Sequence, residues 1–313
     1  MAAVESVGGP LELDDLGTTL VHEHLKMRSE PMPEQFPHLY EEDEMLRRAT
    51  EVADALLGQG VKTICDPSCM YHGRDIRFMK RVADETGVQV IACTGIYTYN
   101  ELPQALKNRD EDYLADAFVH DIERGIQGTD IKAAFLKCAV DEPGITDDIE
   151  KVLRACARAA KRTATPIMAH SHPATRRGLE IMDVFDEEGV DPGTVQVAHT
   201  GDTDDLEYIE QLLERGPFIG MDRYGLDIIL AADKRNATVM ALLERGHADR
   251  MFLSADACAE FDWFPLELVA EMAPNWKSTY VFDQIVPQLR DAGMSDEQLN
   301  EMTVENPKRW LGS

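Results

Sequence analysis

The chain has 313 residues, 44% of them hydrophobic, and a formal net charge of −27 from 58 acidic and 31 basic residues. A surface this acidic repels phosphate backbones and anionic lipids, which argues against nucleic-acid and membrane-surface partners. No segment approaches the ~18 apolar residues needed to span a bilayer, and the first residues lack the basic and apolar regions of a secretory signal. We therefore expect a cytoplasmic protein whose six scattered cysteines are buried and reduced.

Short apolar runs alternate with amphipathic helical patterns along the chain. The first run, over 18–25, is followed by a proline-broken loop and by a helical pattern over 41–57 that ends at Gly58. Further apolar runs are predicted at 61–65, 88–93, 132–139, 166–169, 194–198, 218–221 and 251–254. Helices are predicted at 74–85, at 110–124, after the cap residue Thr146, and at 177–188, 204–215 and 231–245, with more helix beyond the eighth run.

Eight apolar runs separated by seven helical intervals predict the fold. Continuous apolar runs are typical of parallel strands that are buried on both faces. Eight such units, with no linker or composition shift between them, predict a single-domain (β/α)8 TIM barrel over residues 1–313. The competing architecture is an open doubly wound sheet, which would place a glycine-rich turn after an early strand. The segment His22-Glu23-His24 occupies that position instead.

Two histidines one residue apart, His22 and His24, end the first run. Alternate residues of a strand point to the same face, so both imidazoles could bind one metal ion. The alternative is that one or both are solvated or core histidines, because two ligands are fewer than a metal site needs.

Titratable side chains at the ends of later runs supply the missing ligands. We expect Lys137 to end the fourth strand, His170 the fifth, His199 the sixth and Asp256 the eighth. In a (β/α)8 barrel the active site lies where the strands end, so these groups should meet at one rim with the two histidines of the first run. Such a convergence predicts a metal centre.

Lys137 allows three interpretations. It could be a Schiff-base nucleophile with a lowered pKa, as in barrel aldolases, or a structural cation paired with Asp256. It could also be carboxylated to a carbamate, an anionic ligand able to bridge two metal ions. The four histidines favour the third interpretation, because an unmodified ammonium group beside two metal cations would be repelled.

The remaining histidines differ in how closely they follow an apolar run. His170 is favoured as a ligand because it directly follows its apolar run, whereas His172 precedes a proline and is expected in the loop, with its role left open. Loop or helix contexts predict surface positions for His38, His72, His120 and His247.

The segment from Gly17 to His24 resembles the opening motif of the phosphotriesterase family, in the amidohydrolase superfamily. The resemblance covers essentially the whole chain. It continues at Lys137, His170, His199, Asp256 and the C-terminal segment 305–311. Within the family the chain looks most similar to the phosphotriesterase-like lactonases, on the basis of Tyr97, the segment 221–225 and a long final loop that starts at Cys258 and contains Trp263.

The resemblance implies a homodimer of TIM barrels with two divalent metal ions per chain. By similarity, the buried ion would be bound by His22, His24 and Asp256, the exposed ion by His170 and His199, and both by a carboxylated Lys137 and a bridging hydroxide. Zinc is the expected metal, and the same ligand types also suit cobalt, manganese and iron.

The resemblance also implies the reaction. The hydroxide would attack an N-acyl-homoserine or related aliphatic lactone, a quorum-quenching activity, with weaker hydrolysis of organophosphate triesters. Asp256 would pass the proton to the leaving alkoxide, and Tyr97 and Arg223 would hold the lactone ring. A groove for the substrate tail would be lined by Trp263 with Phe261, Phe264 and Leu266. Small residues at 255 and 257, where many relatives carry larger ones, leave the shape of the pocket open.

Four alternatives to a lactonase remain, three of them enzymatic. A phosphotriesterase (aryldialkylphosphatase) would use the same site, although the presence of Arg223 and the lack of a secretory leader favour a lactonase. A Schiff-base aldolase would use Lys137. A TatD-like metallonuclease is opposed by the net charge of −27. A non-enzymatic scaffold would leave six ligand-type residues at strand ends without explanation.

Overall fold

The computed structural model describes residues 2–313. Its centre is an eight-stranded parallel sheet whose strands follow one another in chain order. An antiparallel hairpin of β1 (Ala3–Ser6) and β2 (Gly9–Glu12) precedes it. The eight strands are β3 (Thr18–Leu20), β4 (Val61–Asp66), β5 (Gln89–Gly95), β6 (Phe135–Val140), β7 (Ile167–Ser171), β8 (Val195–Ala198), β9 (Phe218–Met221) and β10 (Met251–Leu253).

Every interval between successive sheet strands contains a helix, which confirms the predicted single-domain TIM barrel. The helices between the strands are α1 (Met32–Gln35), α2 (Glu42–Gly58), α3 (Ile76–Thr86), α4 (Gln104–Lys107), α5 (Glu111–Glu123), α6 (Asp147–Thr163), α7 (Arg177–Glu188), α8 (Leu206–Arg215) and α9 (Ala232–Glu244). Four more follow the last strand: α10 (Leu266–Met272), α11 (Val286–Asp291), α12 (Asp296–Asn300) and α13 (Asn306–Leu311).

Capping residues set the helix bounds close to the predicted ones. The hydroxyl of Thr146 accepts a hydrogen bond from the Ile149 N–H at the start of α6, as predicted. Asp110 caps α5 in the same way, and Gly216 ends α8 in the left-handed conformation with φ of +96°. These local signals are readable from sequence, because cap and helix are neighbours in the chain.

Three strands differ from the predictions. β3 ends at Leu20 rather than at residue 25. β6 begins at Phe135 rather than at residue 132, and Lys137, which the predicted run also contained, lies in its middle rather than at its end. β7 runs to Ser171, so His170 lies within its strand instead of following it. The segment after β3 leaves the regular ladder because it bonds to both of its neighbours: Glu23 N–H donates to Cys65 O, and His24 N–H donates to Ala257 O. His22 and His24 therefore follow a strand instead of belonging to one.

The barrel closes through a seam between residues 22–27 and 256–261. Asp256 N–H donates to His22 O at 2.9 Å, and Met27 N–H donates to Glu260 O at 2.9 Å. Isolated parallel bridges join His24 to Cys258 and Met27 to Phe261. The seam, rather than a β3–β10 ladder, thus brings the first and last strands together.

Large apolar side chains fill the amino-terminal end of the barrel. Trp310 of α13 is fully buried, contacts the rings of Phe135 and Phe252, and donates its indole N–H to Thr194 O at 3.1 Å. This packing fills the barrel at that end, so the carboxyl ends of the strands are where polar groups can collect. Among residues 2–313, none of the helices is long and apolar enough to cross a bilayer. The six cysteines are free thiols, and all but Cys258 are buried.

Candidate active site

A cavity of about 170 Å³ lies at the carboxyl ends of the barrel strands. It is lined by the six proposed ligands and by three of the proposed substrate contacts: His22, His24, Tyr97, Lys137, His170, His199, Arg223, Asp256 and Trp263. Residues separated by more than two hundred positions in the chain therefore meet in one place, as the barrel prediction requires.

Asp256 lies at the centre of this group. Its Oδ1 is 3.0 Å from His22 Nε2 and 3.2 Å from His24 Nε2, and its Oδ2 is 3.9 Å from His199 Nε2. One ligand atom each from His22, His199 and Asp256 lies within 4.8 Å of the others, a spacing that could hold a metal ion. Arg223 Nε also donates to Asp256 Oδ2 at 2.8 Å.

Asp222, for which the sequence pattern indicates no role, orients two of the histidines. This fully buried carboxylate lies 2.8 Å from His22 Nδ1 through one oxygen and 3.1 Å from His199 Nδ1 through the other. It also accepts the His199 N–H at 2.8 Å. With both Nδ1 atoms bonded to Asp222, each ring turns its Nε2 toward the cavity. Carboxylates that bond the far side of metal-binding histidines orient the rings in this way.

The remaining two histidines are oriented by separate partners. His24 Nδ1 lies 2.7 Å from the Ser68 hydroxyl, which leaves Nε2 for the cavity. His170 is reversed: its Nε2 lies 2.6 Å from Asp141 Oδ2, and its Nδ1 faces the Tyr97 hydroxyl at 3.4 Å. Each of the four rings thus presents one nitrogen to the cavity.

The protonation of the histidines matters because metal ions bind neutral imidazole. Burial lowers the pKa of His170 to about 4 and that of His199 well below its usual value. Burial also acts to lower the pKa of His24, but its hydrogen bonds to Asp256 and Asp66 outweigh burial and raise it to about 9. A metal ion would therefore displace a proton at His24. The neutral imidazoles and the central carboxylate fit a divalent transition metal.

Lys137 is buried beside these ligands. Its Nζ lies 3.5 Å from His22 Nε2 and 3.2 Å from the Met168 sulfur. Burial lowers its pKa, and within residues 2–313 it forms no ion pair with a carboxylate, which argues against a structural cation paired with Asp256. Glycine is required at position 95, with φ of +135°, because a Cβ there would lie 1.9 Å from Lys137 O.

One histidine prediction was wrong. His72 was expected at the surface, but it is buried and lines the cavity, with its ring centroid 3.9 Å from that of Tyr97 and 5.2 Å from that of His24. Burial lowers its pKa to about 4. Its loop context gave no sign of this, because the aromatic ring that covers it belongs to the next strand unit. His172 lies in the loop as expected, with Nδ1 2.8 Å from the Thr175 hydroxyl.

An apolar groove of about 180 Å³ adjoins the cavity. The two share the side chains of Leu226, Phe261 and Trp276. Phe261 and Phe264 line the groove as predicted. Trp263 lines the cavity instead of the groove, and Leu266 lies on the wall of a separate depression beside Tyr40. An amphiphilic molecule could therefore place a polar part among the histidines and an apolar part in the groove.

Replacing Asp222 with asparagine is expected to weaken metal retention and kcat/KM by about 10–100-fold, since the amide cannot hold both histidine rings in the same tautomer. Metal content after dialysis against a chelator and steady-state kinetics measure the effect. Asp121→Asn is the matched control, because Asp121 bonds Thr94 and Arg74 away from the cavity. Equal metal loss in both variants would contradict the role given to Asp222.

Comparison with known proteins yields consistent matches. Residues 2–311 match the model of the Phosphotriesterase family. An aryldialkylphosphatase from Saccharolobus solfataricus is 47% identical over 303 residues, which cover 96% of each chain. A phosphotriesterase homology protein from Mycobacterium tuberculosis is 41% identical, covering 99% of this chain and 97% of its own. The solved structure of the phosphotriesterase from Mycobacterium tuberculosis superposes with a TM-score of 0.96 at 41% identity, covering 99% and 98%.

Proposed function

We propose that this chain mainly opens N-acyl-homoserine or related aliphatic lactones. The chain belongs to the phosphotriesterase family and is a metal-dependent hydrolase. The observation that carries the proposal is the apolar groove that shares Leu226, Phe261 and Trp276 with the cavity. A lactone with an acyl tail has a polar ring for the cavity and an apolar chain for the groove. Hydrolysis of organophosphate triesters would be a weaker side activity of the same site.

The metal centre of the proposal uses six side chains. Two divalent ions, with zinc expected, would be held by His22, His24, Lys137, His170, His199 and Asp256. When bound, such ions polarise a carbonyl oxygen and lower the pKa of water. In the carboxylated form of Lys137 that we propose, the neutral amine attacks carbon dioxide, a C–N bond forms and a proton leaves. The buried position of Lys137, which favours the neutral amine, supports this step.

Tyr97 and Arg223 would bind the lactone ring. Burial raises the pKa of Tyr97 well above its usual value, so its hydroxyl stays protonated and can donate to the carbonyl oxygen. The Arg223 guanidinium is held between Asp256 and Asp202, with Nε to Asp256 at 2.8 Å and Nη1 to Asp202 at 3.1 Å. This fixed cation can stabilise charge that develops on the substrate.

Asp256 would carry the proton in this reaction. Burial raises its pKa, but electrostatic interactions with His22 and Arg223 outweigh burial and hold the pKa well below its usual value. The carboxylate is thus ionised and can accept a proton from the attacking water and deliver it to the leaving alkoxide. Trp263, whose ring centroid lies 6.2 Å from that of Tyr97 and 5.6 Å from that of Phe261, would guide the tail from ring to groove.

The proposal is tested by hydrolysis of an N-acyl-homoserine lactone beside paraoxon, with purified protein before and after metal chelation and re-addition. We expect the lactone to be far the better substrate and activity to require metal. A main activity on paraoxon would instead support the second candidate, a phosphotriesterase, which the similarity to a relative named aryldialkylphosphatase favours. Metal-independent activity with borohydride trapping of substrate on Lys137 would support the aldolase.

A further inference from the structure

Asp256 has a backbone conformation that residues with side chains rarely adopt. Its φ is +50°, in the left-handed region. It lies three residues beyond the end of β10, where no strand ladder fixes it. Such conformations persist where surrounding contacts determine them. The position of the Asp256 carboxylate therefore depends on what bonds to its neighbouring peptides.

A buried carboxylate holds the N–H groups on both sides of Asp256. Glu23, 1% exposed, accepts the Ala255 N–H at 2.7 Å through Oε1 and the Ala257 N–H at 3.3 Å through Oε2. The Asp256 N–H itself donates to His22 O at 2.9 Å. All three consecutive N–H groups thus bond to the segment that follows β3.

The carbonyl groups of the same turn are held by an indole. Trp276 Nε1–H donates to Ala255 O at 3.1 Å and to Asp256 O at 3.0 Å. Trp276 also forms part of the wall of both the cavity and the apolar groove, where the ring of Phe261 packs nearly perpendicular to it at 5.6 Å between centroids. One side chain therefore contacts both the space proposed for the substrate tail and the backbone of Asp256.

We propose that Trp276 is a positioning residue that couples occupancy of the groove to the placement of the Asp256 carboxylate. The inference rests on the proposed function, because it requires a tail in the groove. A tail packed on the indole restricts its rotation and keeps its N–H on the two carbonyl oxygens. Long-tailed substrates then have a higher kcat as well as a lower KM, because remote binding energy is used to orient the reacting group.

The test compares N-butanoyl- and N-decanoyl-homoserine lactone on the wild type and on Trp276→Phe. The phenylalanine keeps an apolar wall but has no N–H. We expect the wild-type kcat to be about fivefold higher for the long tail. In Trp276→Phe the kcat for the long tail falls about tenfold and the two kcat values become equal, while the lower KM of the long tail persists. A kcat ratio that stays at the wild-type value overturns the proposal.

Trp310→Phe is the matched control, because it removes the same kind of indole-to-carbonyl bond, to Thr194 O, at the opposite end of the barrel. It should keep the wild-type kcat ratio whatever it does to thermal stability, and loss of that ratio would show a general packing effect and overturn the proposal. Metal retention during chelator dialysis gives a second readout: we expect faster loss from Trp276→Phe than from Trp310→Phe, and equal loss counts against the proposal.

Two further experiments cover the cases in which the variant does not fold or the wild type does not cleave lactones. If Trp276→Phe does not fold, Phe261→Leu replaces it, since this change removes the ring packed on the indole. Its kcat ratio should fall toward one, and an unchanged ratio overturns the coupling. If the wild type cleaves paraoxon but neither lactone, the proposed function fails, and the coupling is then tested in the same way with dialkyl aryl phosphates of short and long alkyl chains.

Discussion

Lys137→Met is expected to lower kcat/KM by about 10³-fold, which corresponds to about 4 kcal/mol of transition-state stabilisation, and to leave fewer than two metal ions per chain. The reason is that the proposed carbamate would be the one side chain shared by both ions, and methionine fills the space without supplying oxygen ligands. Metal content by mass spectrometry of the purified protein and steady-state kinetics measure the two effects.

The matched control is the second fully buried lysine. Lys26 is 2% exposed, and its Nζ pairs with Asp75 at 2.7 Å rather than with a candidate ligand. Lys26→Met breaks a buried ion pair, so we expect a loss of stability in thermal unfolding. Metal content and kcat/KM of the folded protein should stay at wild-type values. Two bound ions per chain and a wild-type kcat/KM in Lys137→Met would contradict the carbamate interpretation.

Asp256→Asn is expected to reduce kcat by about 10³-fold, because an amide cannot accept and return a proton. The expected change in KM is smaller, since Tyr97 and the groove still bind the substrate. Separate determination of kcat and KM on the preferred substrate measures this division.

Asp202→Asn gives the informative comparison. Asp202 bonds the far side of the Arg223 guanidinium and also bonds Arg235, but it does not line the cavity. The substitution Asp202→Asn should mainly raise KM, because it loosens the placement of Arg223. If Asp256→Asn keeps kcat within tenfold of the wild type, Asp256 is not the proton carrier. The same conclusion follows if the two variants divide their effects between kcat and KM in the same way.

The fold was predictable because its signals are local. Each of the seven helical intervals carries its own apolar period, and caps such as Thr146 act on the first turn that follows them. The end of β3 was not predictable, because Glu23 and His24 bond to Cys65 and Ala257, which lie far along the chain. The hairpin of β1 and β2 was also missed, because neither of its strands, AVES and GPLE, is a continuous apolar run.

The candidate site, like the fold, has parts that could be predicted from the sequence and parts that could not. The positions of the six proposed ligands could be predicted because each lies at or near a strand end, and barrel topology brings strand ends together. The groups that orient them could not. Asp222 lies 200 positions from His22, and Glu23 lies 232 positions from Ala255, so neither pairing leaves a sequence pattern. The homodimer and the preference for lactones stay predictions, because they rest on resemblance and on an apolar groove.

The seam that closes the barrel has a consequence for synthesis of the chain. The His22 backbone N–H donates to the Ser254 hydroxyl at 3.0 Å beside this seam, although the two residues are separated by 232 positions in the chain. A chain emerging from the ribosome thus exposes its first two histidines long before the aspartate that joins them exists. Until residue 256 is made, the nascent barrel has an open edge and an incomplete set of ligands. Completion of the site and closure of the fold are therefore a single late event, and a chain stalled before that point has neither.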